Sequence, residues 1–143
     1  MLFRSNVPGA AALAAAVRLV TAERPAVRER LLRLDRRLRD GVEIFGERLV
    51  PLVPAGRAVP GLVALGLRGL PPEVFLHRLE QHGVYASAGS ACHSRHARSA
   101  VLEALGAPAD LGLIRVSMGR GTTEDHVDAF LAAARTSLPE ARA

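Results

Sequence analysis

Apolar side chains recur at helical spacing through the first third of the chain. Leu13, Val17 and Val20 share one side of a segment that opens after Pro8 and Gly9, which predicts a helix from Ala10 to about Arg24. Pro25, whose missing N–H suits a first helical turn, predicts the start of a second helix. There Val27, Leu31, Leu34, Leu38, Val42 and Phe45 follow at steps of four, three, four, four and three, with arginine and glutamate opposite. Gly41 lowers helix propensity by about 1 kcal/mol against alanine, yet the stripe persists through it. A two-stranded coiled coil is the rival reading. So short a pattern, bounded by Pro25 and by Pro51 and Pro54, favours a helix packed within a domain.

Beyond a break at Pro51 to Gly56, the stretch Ala58 to Leu67 alternates as a strand does. Pro60 and Gly61 mean that it begins late or lies at an edge. Pro71 and Pro72 start a helix through His82, with Val74, Phe75, Leu76 and Leu79 inward and Gly83 closing it. Val84 to Ala86 reads as a short strand, Arg98 to Leu105 as a helix closed by Gly106, and Leu113 to Ser117 as a buried strand. A last helix begins at Thr122 or Thr123, either of which can cap it, with Glu124 and Asp125 in its first turn. Its inner face is Val127, Phe130, Leu131 and Ala134. Strands and helices alternating in this way predict an α+β or small α/β layer.

Composition narrows the setting. The chain has 143 residues, 49% of them hydrophobic, enough for one domain with a core and short for two. No apolar run approaches the roughly 18 residues that cross a bilayer. The first residues lack the pattern of a signal peptide, so no membrane partner and a cytoplasmic setting are expected. A single cysteine excludes an intrachain disulfide. The net charge of +5 comes entirely from arginine, because the sequence has no lysine. That excludes an internal Schiff base to an aldehyde cofactor. Nucleic acid is not an expected partner: the nine arginines from Arg18 to Arg48 are interleaved with six acidic residues, and aromatics for stacking are scarce.

The candidate chemistry lies between Val84 and Gly121. Cys92 sits in a small-residue loop, Ala88-Gly-Ser-Ala91, ahead of a helix and beside His93, Arg95, His96 and Arg98. It is either a buried small residue or a thiol whose pKa is lowered toward the thiolate. Cys92, His93 and His96 are too close in sequence to converge on one zinc, and no second cluster exists, so no metal is expected. His77, His82 and His96 read as surface polar residues. Arg115 is a lone charge within an apolar strand. It is either paired with Glu103 or Asp110, or a planar fork for a substrate carboxylate.

Ser87-Ala-Gly-Ser-Ala-Cys-His-Ser94, Val101-Leu-Glu-Ala-Leu-Gly106 and Ile114-Arg-Val-Ser-Met-Gly-Arg-Gly-Thr-Thr-Glu124 follow one another in order. Together they resemble the C-terminal part of class V pyridoxal-phosphate enzymes, the cysteine desulfurases and selenocysteine lyases. Cys92-His-Ser-Arg-His96 leans toward the lyase branch, and Asn6-Val-Pro-Gly9 resembles the segment that enters the small domain. The resemblance implies the small C-terminal domain of a fold-type I transferase, with a short sheet packed on helices and a long N-terminal amphipathic helix. It implies Cys92 as the persulfide-forming catalytic cysteine, Arg115 as the grip on the substrate carboxylate and His93 as a possible accessory group. The family's large domain, which carries the cofactor lysine, is not in this sequence. Phe3-Arg-Ser5 stands where the family has a glycine and threonine, so Met1–Ser5 reads as a non-family start and residues 6–143 as one small domain. The implied function is removal of sulfur or selenium from (seleno)cysteine to give alanine. This requires pyridoxal phosphate on a large domain in cis or trans; a homodimer of the complete enzyme is the expected assembly and a sulfur-acceptor protein a candidate partner. The chain is expected to be inactive alone. The alternative is a non-enzymatic sulfur carrier or interaction module using Cys92, or an inactive fragment.

Overall fold

The computed structural model of the protein describes residues 6–88 and 100–138. Helix α1 runs from Val7 to Val42, and a 3-10 turn, Glu43–Arg48, follows it. Then come β1 (Leu49–Pro51), β2 (Leu62–Leu67), α2 (Pro72–Glu80), β3 (Ser87–Ala88), α3 (Ala100–Ala104), β4 (Gly112–Ser117) and α4 (Glu124–Ser137). The strands form one antiparallel sheet in the order β1-β2-β4-β3. The fold is α+β, as expected.

Helix α1 is continuous where two helices were expected. Pro25 lies inside it rather than opening a second one. The proline removes one N–H that would bond the Thr21 carbonyl, but Thr21 is exposed and water can take that carbonyl. At 36 residues the helix is about 54 Å long. Asn6 caps its start, accepting the Gly9 N–H at 2.9 Å. Only the C-terminal half is packed. Leu34, Leu38 and Val42 are buried, whereas Leu13, Val17 and Val20 are 66%, 54% and 63% exposed. The first turns thus form an arm that stands clear of the domain.

Strand alternation sorts the sheet into two faces. Leu49, Val63, Leu65, Leu67 and Ile114 turn inward to Leu34, Leu38 and Val42 of α1, Phe75 and Leu79 of α2, and Val127, Phe130, Ala133 and Ala134 of α4. Packing on α4 and the sheet is what the α1 stripe does, rather than pairing as a coiled coil. Gly41 has a use here: a Cβ on it would sit 2.3 Å from Leu131 Cδ1, so its absence lets α4 close on α1. Arg37 ties the same pair of helices through Asp128, and Arg120 reaches Glu23 on α1 at 2.6 Å. Arg30 donates in turn to the Arg120 carbonyl.

Other elements differ from expectation in detail. β1 falls in part on what reads as a proline break. β2 does begin late, at Leu62, but it is an interior strand. β3 pairs at Ser87–Ala88, directly after the short strand expected at Val84 to Ala86, because its register is set by Arg115 and Ile114 of β4. Phe75 and Leu79 of α2 are buried, but Val74 is 41% exposed. Thr123 is the N-cap of α4, and His126 Nδ1 accepts its backbone N–H at 3.2 Å.

Candidate functional site

Among the described residues, the outer face of the sheet is exposed toward the β4 end at Arg115 and Ser117. Across it Leu62 pairs with Ser117, Ala64 with Arg115, and Gly66 with Leu113, while Ser87 meets Arg115 from the other side. Period-two alternation therefore places Leu62, Ala64, Gly66, Ser87, Arg115 and Ser117 on this one surface. Its two ends differ. At Gly66 the surface is closed: a Cβ there would meet Leu52 Cδ2 at 2.9 Å and Leu111 Cδ1 at 3.1 Å. At Arg115 it is open, and the arginine is exposed.

Arg115 has Ala64 on one side and Ser87 on the other. Both neighbours are small, so neither obstructs the face of a guanidinium lying on the sheet. Among the described residues, no carboxylate pairs with it. Asp110, one of the two expected partners, is taken by Arg68, whose Nε lies 2.6 Å from Asp110 Oδ2 and whose Nη1 lies 2.7 Å from Glu47 Oε2. The Asp110 hydrogen bond raises the Arg68 pKa above its ordinary value, and the same bond lowers that of Asp110. Glu103, the other expected partner, is exposed on α3 and forms no ion pair among the described residues. Other arginines differ sharply in this respect: Arg33, Arg37, Arg39, Arg68 and Arg120 each hold a carboxylate at 3.0 Å or less. An unengaged guanidinium fork on an open surface is free to bind a planar anion through two parallel hydrogen bonds.

Cys92 and His93, like His96, lie outside the described residues, so the sequence alone speaks for them. Ala88, four residues before Cys92, is the last described residue ahead of that stretch and is paired to Ile114 beside Arg115. His77 and His82 are exposed at the end of α2, and His82 Nε2 lies 3.1 Å from Thr136 Oγ1. Sequence reasoning passed over Ser87 as a neighbour of Arg115. The expected strand stopped at Ala86, one residue short of it.

Pyridoxal phosphate does not fit this chain as a resident group. Its imine anchor is a lysine amine, and the sequence has none. The residues that remain can supply a carboxylate fork and a thiol. No helix is long and apolar enough to cross a membrane among the described residues.

A family model described as "Aminotransferase class-V" matches residues 2–130. The cysteine desulfurase IscS of Methanosarcina thermophila is 36% identical over 129 residues, which is 88% of this chain and 32% of that protein. The cysteine desulfurase IscS of Anaeromyxobacter sp. strain Fw109-5 is 36% identical over 132 residues, with the same coverage of 88% and 32%. The chain thus spans about a third of the length of these curated relatives. Among solved structures, a NifS-like protein superposes with a TM-score of 0.79 at 22% identity, over 94% of this chain and 34% of that one. A NifS-like protein from Rickettsia africae gives 0.70 at 16% identity, over 83% and 31%. These two likenesses establish the fold.

Proposed function

The chain belongs to the aminotransferase class V family, and from that premise we propose that it is the small domain of a cysteine desulfurase, completed by a larger body that holds pyridoxal phosphate. The observation that carries the proposal is the exposed Arg115 fork on a β-strand, flanked by Ala64 and Ser87 and without an ion pair among the described residues. The curated relatives support the substrate class through their names.

In this reading Arg115 receives the carboxylate of cysteine and so fixes which way the substrate lies. The Cys92 thiolate attacks the substrate sulfur. An S–S bond forms as the substrate C–S bond breaks, and the electron pair of the broken bond stays on the carbon fragment, which takes a proton and leaves as alanine. The product on this chain is a Cys92 persulfide, which passes its outer sulfur to an acceptor protein. His93 is an accessory proton carrier. The complete enzyme is a homodimer, and residues 6–143 form its small domain.

The test is a chimera in which this chain replaces the matching third of the Methanosarcina thermophila relative, supplied with pyridoxal phosphate and L-cysteine. Alanine release that disappears in Cys92→Ser and weakens in Arg115→Ala supports the proposal. Steady alanine release by the chain alone, or full activity in the Cys92→Ser chimera, overturns it.

A further inference from the structure

Ser87 faces Arg115 directly, and the mechanism above gives it no task. The two are register partners on adjacent antiparallel strands, so their Cβ atoms stand about 5 Å apart on one face of the sheet. The neighbours of Ser87 fix its direction. Val84, Ala86 and Ala88 pack on the core, whereas Tyr85 is 81% exposed, so the odd-numbered residues of this segment turn to the outer face. Ser87 is half-buried there, and its hydroxyl forms no hydrogen bond among the described residues.

We infer that Ser87 is a substrate-binding residue, its Oγ–H donating to the same carboxylate that Arg115 holds. The inference rests on the desulfurase reading above. A carboxylate offers about four lone-pair positions, and a guanidinium fork fills two of them. In a site closed from water, an oxygen left short of donors costs free energy, so a further donor is favoured. The neighbours of Arg115 on this face narrow the choice. Ala64, its partner on β2, and Leu113, two residues back along β4, have no side-chain donor. Ser117 has a hydroxyl but lies two residues along the strand, about 7 Å away. Among the described residues, only Ser87 combines an unbonded hydroxyl with a place directly opposite the arginine. The consequence is directional. With serine on one side of Arg115 and alanine on the other, the carboxylate is drawn toward β3, the strand whose chain reaches Cys92 five residues on. The fork alone binds a carboxylate without that bias, and the serine adds orientation to it.

The experiment is steady-state alanine release by the cofactor-loaded chimera described above, with Ser87→Ala, Ser87→Thr, Arg115→Ala and the double variant Ser87→Ala/Arg115→Ala. Ser87→Ala should lower kcat/KM for L-cysteine about 10-fold. Ser87→Thr keeps the hydroxyl on a residue suited to a strand and should stay within about 3-fold of wild type. In the Arg115→Ala background the Ser87→Ala step should shrink to about 2-fold or less, because the carboxylate is no longer held within reach of the serine. A merely structural serine would give the same step in both backgrounds. An unchanged kcat/KM in Ser87→Ala, a step of equal size in both backgrounds, or no recovery in Ser87→Thr overturns the inference and leaves the desulfurase reading standing. A chimera that holds cofactor and releases no alanine overturns that reading and the inference with it. The same graft into the Anaeromyxobacter relative is the second scaffold, and failure of both grafts to hold cofactor counts against both.

Discussion

Arg37 grips Asp128 with two parallel hydrogen bonds, Nε to Oδ1 at 2.8 Å and Nη2 to Oδ2 at 2.7 Å. The pair joins α1 to α4 across the outside of the core. The hydrogen bond from Arg37, ahead of its charge, holds the Asp128 carboxyl below its ordinary value, and Arg37 is raised by the same contact. A carboxyl with a lowered folded pKa adds stability that is complete above its unfolded value, near 4, and disappears as pH falls through the folded value. The stability gap between wild type and Asp128→Asn, measured by denaturant melts, should be level from about pH 8 to 5 and close on further acidification. It should also be small, because both side chains are nearly half exposed. A gap that widens in acid would contradict the assignment.

Arg115 should matter to substrate and not to folding. Loss of a charge-assisted, two-pronged contact is expected to raise KM for cysteine in the chimera by roughly 10- to 100-fold in Arg115→Ala. Arg115→Lys should recover only part of it, because an ammonium cannot present the planar fork. In the isolated chain Arg115→Ala should leave the unfolding free energy, from urea melts, within about 0.5 kcal/mol of wild type. Equal losses in stability and in KM would mean that the arginine is structural.

Leu13 and Leu38 test the division of α1. They are the same residue type on the same stripe, one 66% exposed and the other fully buried. Leu38→Ala should destabilise the isolated chain by about 2–5 kcal/mol, and Leu13→Ala by no more than about 0.5 kcal/mol. Urea melts of the two variants decide this directly.

Gly61 should resist substitution. It adopts φ +86, its carbonyl accepts the Met118 N–H at 2.7 Å, and a Cβ would lie 2.7 Å from the Met118 carbonyl oxygen. Gly56 has nearly the same φ, +85, with open space around it. Gly56→Ala carries conformational strain alone, about 1–3 kcal/mol. Gly61→Ala adds a clash with backbone that cannot swing away, so its loss in thermal or urea melts should be clearly the larger.

Much of this architecture is legible in the residue pattern because the signals are local. The 3.6-residue stripe of α1, the capped start of α4 and the apolar run of β4 each read correctly. What did not read depends on partners. Pro25 looks like a helix start, yet the helix passes through it where Thr21, whose carbonyl loses its N–H partner, is exposed. β1 is three residues ending in a proline, and it exists because Leu67, Gly66 and Leu65 present an edge to it. β3 is placed by its pairing with β4 rather than by its own residues. Leu13, Val17 and Val20 have the spacing of a buried face, and no property of the arm itself reveals that the domain ends before reaching them. At the site, Arg115 is conspicuous in sequence, but that Asp110 is held by Arg68 could be seen only in the structure.

The contact of α1 with α4 also sets a timetable. It joins the first helix of the chain to the last, so the inner stripe of α1 cannot close until Glu124–Ser137 has been made. About 80 residues separate the two helices. At a synthesis rate of about 5–20 residues per second, Leu34, Leu38 and Val42 wait roughly 4–16 s for Phe130 and Ala134. Throughout that interval the nascent chain displays a long, arginine-edged apolar helix. That is the form in which a chaperone, or another nascent chain, first meets it.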